Sequence, residues 1–414
     1  MNQNLAAGEA APHIAHEASG KARTRSEPPG PDPAQSIRIT SPASLLAVVP
    51  PLLGFQPSNS MVLIGTEPPR AQVRLTLRYD LPDPPDPELA VEIARHAVAV
   101  MRAQDMGTVV AVGYGPGALV TPVADALREL AARAGLRITE LLRAEGQRYW
   151  SYLCTDPACC PPEGTLFETE DHPAAAAIMA GGKQVLASRE DLAATVMPVD
   201  GEAAELMHAA TRRAEEHAAR LVARVARSGR ERAGRRLIAT AGLEAAADAI
   251  TCYRRGERIA PGDSAAWLTV VLRDLRVRDD AWSRMDPRYL TAHLRLWTDL
   301  TRLARPGYVP APASLLAFVA WQSGNGALAN VALDRALGDD PHYSMAQLLR
   351  QAIDSGAPPS LARIPMTPEE VAASYEEAEG PDADDSTAGS AAMDDAREAS
   401  NRAGCGRDGA SRDV

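Results

Sequence analysis

Residues 311–355, APASLLAFVAWQSGNGALANVALDRALGDDPHYSMAQLLRQAIDS, read as three short helices in a row. Leu315, Phe318, Val319 and Gln322 recur at helical spacing, and Ser323, Gly324, Asn325 and Gly326 supply a turn. Ala329, Leu333, Ala336 and Leu337 then form the stripe of a second helix. Asp340 followed by Pro341 predicts the start of a third, with Met345, Leu348, Leu349 and Ala352 as its apolar face and Gly356 and Pro358 as its stop. The spacing Ala329, Leu333, Ala336, Pro341 matches the second half of a tetratricopeptide pattern. A single such unit cannot bury its own face, so this hairpin belongs inside a larger helical bundle.

Working outward, the residues before it continue the helical theme. Helices are expected over 202–228, 243–255, 264–275 and 287–303, and Trp267, Trp282, Trp297 and Trp321 are spaced as core pillars. Further upstream the period changes. Residues 70–80 alternate Val73, Leu75, Leu77 and Tyr79 against Gln72, Arg74, Thr76 and Arg78, the mark of a half-buried strand. Strands at 61–64, 109–112, 137–142 and 148–153 are interleaved with helices at 88–104 and from Thr121, where Pro122 would take the first helical position. A short helix from Ser41-Pro42 should break at Pro50-Pro51. Strand and helix in alternation predict an α/β N-terminal half, a mixed and partly parallel sheet with flanking helices, followed by an all-α half. The expected divisions are a disordered tail 1–36, an α/β domain with its connector 37–200, a helical domain 201–376 and a disordered acidic tail 377–414.

With 414 residues, 45% hydrophobic and 4% aromatic, the chain has material for two cores. No uncharged apolar run approaches the roughly 18 residues of a spanning helix, and the start lacks a basic-then-apolar leader, so no membrane association is expected. The net charge of -11 argues against general nucleic-acid affinity. The strongest basic run, Arg220, Arg224, Arg227, Arg230, Arg232, Arg235 and Arg236, is interrupted by Glu231 and carries no aromatics for stacking, which fits a solvated helix face. Five cysteines without an export signal suit a reducing, cytoplasmic setting.

Two stretches carry chemistry. Gly113, Gly115 and Gly117 lie between a strand and the helix capped by Thr121, where free peptide N–H groups attract an anion or nucleotide phosphate. Pro116 removes a donor, and Glu140 stands somewhat beyond the roughly 20 residues at which a ribose-binding acid is placed. The other stretch is Cys154, Cys159 and Cys160 in a proline-stiffened loop. Three thiolates there can hold zinc, with His172 or Asp156 as fourth ligand, or form a redox disulfide; the alternative is a structural role in the turn. Gly181, Gly182 and Lys183 do not make a phosphate loop, and the pairs Asp279-Asp280 and Asp339-Asp340 read as helix caps.

A resemblance is carried by three blocks: Ile39 to Leu46 with Leu53-Gly54-Phe55-Gln56-Pro57; Tyr149-Trp150-Ser151-Tyr152-Leu153-Cys154 with Cys159-Cys160-Pro161-Pro162-Glu163-Gly164; and the helical stretch quoted above. Together they resemble the actinobacterial family called domain of unknown function 4192 over roughly 37–375. The resemblance implies this architecture and an intracellular bacterial setting, and it brings no reaction. Without a catalytic signature, the sequence favours a non-catalytic binding or regulatory module that meets a protein partner through its helical half. An enzyme holding an anionic ligand at the glycine stretch comes second, and a thiolate metal or redox protein third.

Overall fold

A computed structural model of the chain describes residues 41–379, apart from 68–71, 170–171, 181–183, 227–230 and 363–365. The tail 1–36, nearly all of the tail 377–414 and the Gly181-Gly182-Lys183 segment lie outside the described residues. So do the side chains of Arg224, Arg227, Arg230, Arg232 and Arg235.

The first helix, α1 (Pro42–Leu53), begins with a reciprocal cap: the Ser44 amide donates to Ser41 Oγ at 3.1 Å, and the Ser41 amide donates to Ser44 Oγ at 2.9 Å. Pro50 and Pro51 do not break it. They occupy its last turn, where the amides they lack would serve only Leu46 and Ala47, and both are buried. Gly54, at φ 82°, ends the helix instead.

Strands β1 (Ser60–Glu67) and β2 (Gln72–Asp80), helix α2 (Pro87–Ala103), strand β3 (Thr108–Tyr114), helix α3 (Gly117–Arg133) and strands β4 (Arg137–Glu145), β5 (Arg148–Ser151) and β6 (Thr165–Leu166) follow. They build one six-stranded sheet in the order β2-β1-β3-β4-β5-β6. Only β3 and β4 are parallel, with Val112 beside Leu142; the other pairings are antiparallel. The sheet is therefore mixed, as the alternation predicts, with α3 as its parallel crossover.

Side-chain alternation divides the sheet between two cores. Met61, Leu63, Val109, Ala111 and Leu141 face α2 and α3, meeting Ala94, Met101, Val120 and Leu127. Val62, Ile64, Val112, Leu142 and Ala144 face the other way, onto α1 and the helical half. Helix α3 starts four residues before the predicted Thr121, with Pro122 inside it. Burial of Leu119, Val120 and Val123 outweighs the one helical bond that proline forgoes.

The second half is helical: α4 (Pro173–Met179), α5 (Arg189–Ala194), α6 (Gly201–Ala226), α7 (Glu231–Arg254), α8 (Asp263–Val271), α9 (Leu275–Ser283), a 3-10 turn (Pro287–Tyr289), α10 (Leu290–Leu303), α11 (Pro310–Gln322), α12 (Gly326–Asp339), α13 (Ser344–Asp354) and α14 (Pro368–Glu379). Trp267, Trp297 and Trp321 are buried, as pillars should be. Three expectations are corrected here. Helix α13 starts at Ser344 rather than at Pro341, because Asp340 accepts the amides of His342 and Tyr343 in a turn that closes α12. Asp279 and Asp280 sit in the middle of α9 rather than at a helix start, paired with Arg278 at 2.6 Å and Arg284 at 2.6 Å. Asp339 ends α12 and accepts the Gly307 amide at 2.8 Å.

Candidate metal centre

The β4–β5 hairpin sets the position of the thiol loop. Gly146, at φ 60°, and Gln147 form its two-residue turn, which places Arg143 directly across from Trp150. The Arg143 guanidinium lies 3.7 Å from the indole ring centre and pairs with Glu145 at 2.8 Å. On the next residue but one, the Tyr152 hydroxyl shares a 2.8 Å hydrogen bond with Thr121 Oγ1 on α3. Thr121 thus braces the start of the loop and caps no helix, contrary to its predicted role.

The loop from Leu153 to Gly164 is then tied at both ends. Ser151 Oγ accepts the amides of Leu153 and Cys154 at 3.2 and 3.1 Å. The Asp156 carboxylate accepts the Ala158 amide at 2.9 Å, while its carbonyl accepts those of Cys159 and Cys160 at 3.1 and 2.7 Å. At the far end the Trp150 indole N–H donates to the Pro162 carbonyl at 2.9 Å, and Arg148 donates to the Gly164 carbonyl at 2.7 Å.

This tight double turn folds Cys159 and Cys160 back toward Cys154. The three Sγ atoms all lie within 4.8 Å of one another, Cys154 and Cys160 half-buried and Cys159 exposed. Tetrahedral zinc with bonds of about 2.3 Å to sulfur separates its thiolates by roughly 3.8 Å. The three sulfurs stand at most about 1 Å beyond that spacing. The Asp156 peptide N–H, and after it the Cys160 thiol, favour the Cys154 thiolate and lower its pKa. The same bond to Cys154, with burial, pushes the Cys160 thiol up to about 12. Cys154 therefore ionises before Cys160.

The predicted fourth ligands are placed differently. His172 caps α4, its Nδ1 accepting the Ala174 amide at 3.2 Å, and Asp156 is held in its own turn. Neither joins the sulfurs among the described residues.

The glycine stretch takes another form from the one its spacing suggests. Gly113 lies inside β3, and a Cβ there would stand 2.2 Å from Val120 Cγ1, so this glycine lets α3 lie on the strand. The Gly115 amide donates to the Ala144 carbonyl at 2.9 Å. Over Gly117, Arg143 Nη1 comes within 3.1 Å of where a Cβ would be. Glu140 is opposite Val110 in mid-strand, remote in register from the strand end where a ribose-binding acid belongs. No single-sequence signal marked the Arg143–Trp150 stack as such, although the hairpin turn between them predicts the register that creates it.

The three blocks that carry the resemblance thus build α1, the hairpin with its thiol loop, and α11 to α13. The chain belongs to the DUF4192 family. The model of that family, described as a domain of unknown function, matches residues 42–360, which takes in the sheet, the thiol loop and the helices through α13. No curated protein and no solved structure matches the chain. Among the described residues of this family member, no helix is long and apolar enough to cross a membrane.

Proposed function

We propose that this protein is a non-catalytic binding or regulatory module whose β5–β6 loop holds a thiophilic metal ion, zinc first, through Cys154, Cys159 and Cys160. The observation that carries this reading is the convergence of three sulfurs within 4.8 Å on a loop tied at both ends. Soft thiolate ligands select zinc and other thiophilic ions over magnesium or calcium. A reducing cytoplasm would keep the three thiols available as ligands. Native mass spectrometry of the full chain, purified and held reduced, tests it. One zinc per chain is expected in wild type after equimolar zinc is added, and none in Cys159→Ser. An apo mass for the wild type under those conditions sinks the zinc assignment, and a Cys159→Ser protein that keeps its zinc places the ion elsewhere.

A further inference from the structure

The three thiols fix how many bonds an ion can make here as well as which ions are soft enough to make them. All come from one short loop and lie within 4.8 Å of one another, Cys154 and Cys160 half-buried and Cys159 exposed. A structural zinc site ordinarily closes with four protein ligands. The two side chains that the sequence offers as a fourth ligand are engaged in local turns, His172 with the Ala174 amide and Asp156 with the Ala158 amide. A trivalent arsenic or antimony centre bonds three sulfurs as a pyramid and points its lone pair away from them, so a cluster of three sulfurs suits it without a fourth donor.

Charge points the same way. Three thiolates on a divalent ion leave one negative charge on the complex, whereas three on a trivalent ion leave none. Asp156 lies within this loop and Glu163 at its far end, with Arg143 and Arg148 on the hairpin beside it, so the neutral trivalent complex needs no compensating charge from the protein. Resting on the thiophilic reading above, we infer that the β5–β6 loop is a three-coordinate site for trivalent arsenic or antimony, taken up as the neutral hydroxide. For arsenite the step balances as As(OH)3 plus three thiols giving As(SR)3 plus three water molecules. Three As–O bonds and three S–H bonds break, three As–S bonds form, each thiol proton leaves on a hydroxide, and no atom changes oxidation state.

The test titrates the reduced full chain with sodium arsenite and, separately, with zinc, reading stoichiometry by native mass spectrometry and the ligand shell by X-ray absorption at the arsenic edge. One arsenic per chain bound by three sulfurs is expected, with arsenite displacing zinc at equal concentration. Cys154→Ser, Cys159→Ser and Cys160→Ser should each weaken binding by at least the roughly tenfold that loss of an outer-shell partner costs a metal site. Thermal unfolding of each variant controls for folding. Cys159→Ser, whose thiol is exposed, carries the test if another variant unfolds. A chain that holds zinc and ignores arsenite overturns this inference and leaves the thiophilic reading standing. Two sulfurs and one oxygen around arsenic, or a serine variant that binds as wild type does, also overturns it. A chain that takes neither ion removes both.

Discussion

At Gly164 the backbone turns through φ 83°, and the indole of Trp150 occupies the space a side chain would need: a Cβ there would come within 2.6 to 2.9 Å of three ring atoms. Both the left-handed conformation and the crowding penalise any substitution. Gly164→Ala should cost about 1–3 kcal/mol in urea unfolding, the range for overpacking a filled site. It should also weaken ion binding, because the displaced indole loses its bond to the Pro162 carbonyl. A variant with wild-type stability would mean the loop yields freely. His293 makes a different residue-scale prediction. It is buried on α10, its Nε2 accepts the Asp286 amide at 3.3 Å, and burial, then the Arg254 guanidinium, lowers its pKa from 6.5 to about 4 against the pull of Asp286. As pH falls below 6.5 the unfolded chain takes up a proton that the folded chain refuses until about 4. Stability should therefore fall across that window, by roughly 3 kcal/mol at 1.36 kcal/mol per unit. Urea midpoints at pH 7 and pH 5 measure the slope, and His293→Gln should flatten it; an equal slope in the variant would assign the effect to other groups.

Among the elements, the β4–β5 hairpin with its loop is where order at the site originates. Trp150 holds the loop through one indole N–H and itself rests on Arg143. Trp150→Phe keeps a ring over the guanidinium and removes the hydrogen bond to Pro162. Ion affinity should drop by about tenfold or more, as for other outer-shell partners, with far-UV circular dichroism unchanged. Unchanged affinity would show that Cys154, Cys159 and Cys160 are positioned by the Asp156 turn alone. Much of this half was legible beforehand, since the alternation in β2 and the turn residues around β3 and β4 are local signals. The errors arose where tertiary packing overrode a local one. Pro50, Pro51 and Pro122 are helix breakers by local rule, yet each stays helical because its neighbours bury apolar surface. Asp279 and Asp280 resemble cap residues, but their partners are Arg278 in the same helix and Arg284 at its C-terminal cap, and the Tyr375 hydroxyl that donates to Asp279 at 2.6 Å comes from α14. The thiols were visible as a cluster in sequence. Their convergence depends on Asp156 accepting three amides, a geometry that no spacing rule contains.

For the whole molecule the telling residues are Leu141 and Leu142, neighbours on β4 that face opposite ways. Leu141 packs with α2 and α3, whereas Leu142 belongs to a core that runs without interruption from α1 through Val62 and Val112 to Leu192, Leu296 and Trp297. One face of the sheet is thus covered by the helical half, and neither can lose its packing without exposing the other. Leu142→Ala should cost about 2–5 kcal/mol, the range for a buried leucine. The loss should register together in both halves. Four of the five tryptophans, Trp267, Trp282, Trp297 and Trp321, report on the helical half by fluorescence, while amide exchange at β3 and β4 reports on the sheet. A shared core requires both probes to give one midpoint in wild type and one lowered midpoint in the variant. Two midpoints, with only the sheet shifted by Leu142→Ala, would instead make the halves independent folding units. A perturbation of the thiol loop would then stay within the sheet and never reach the helices.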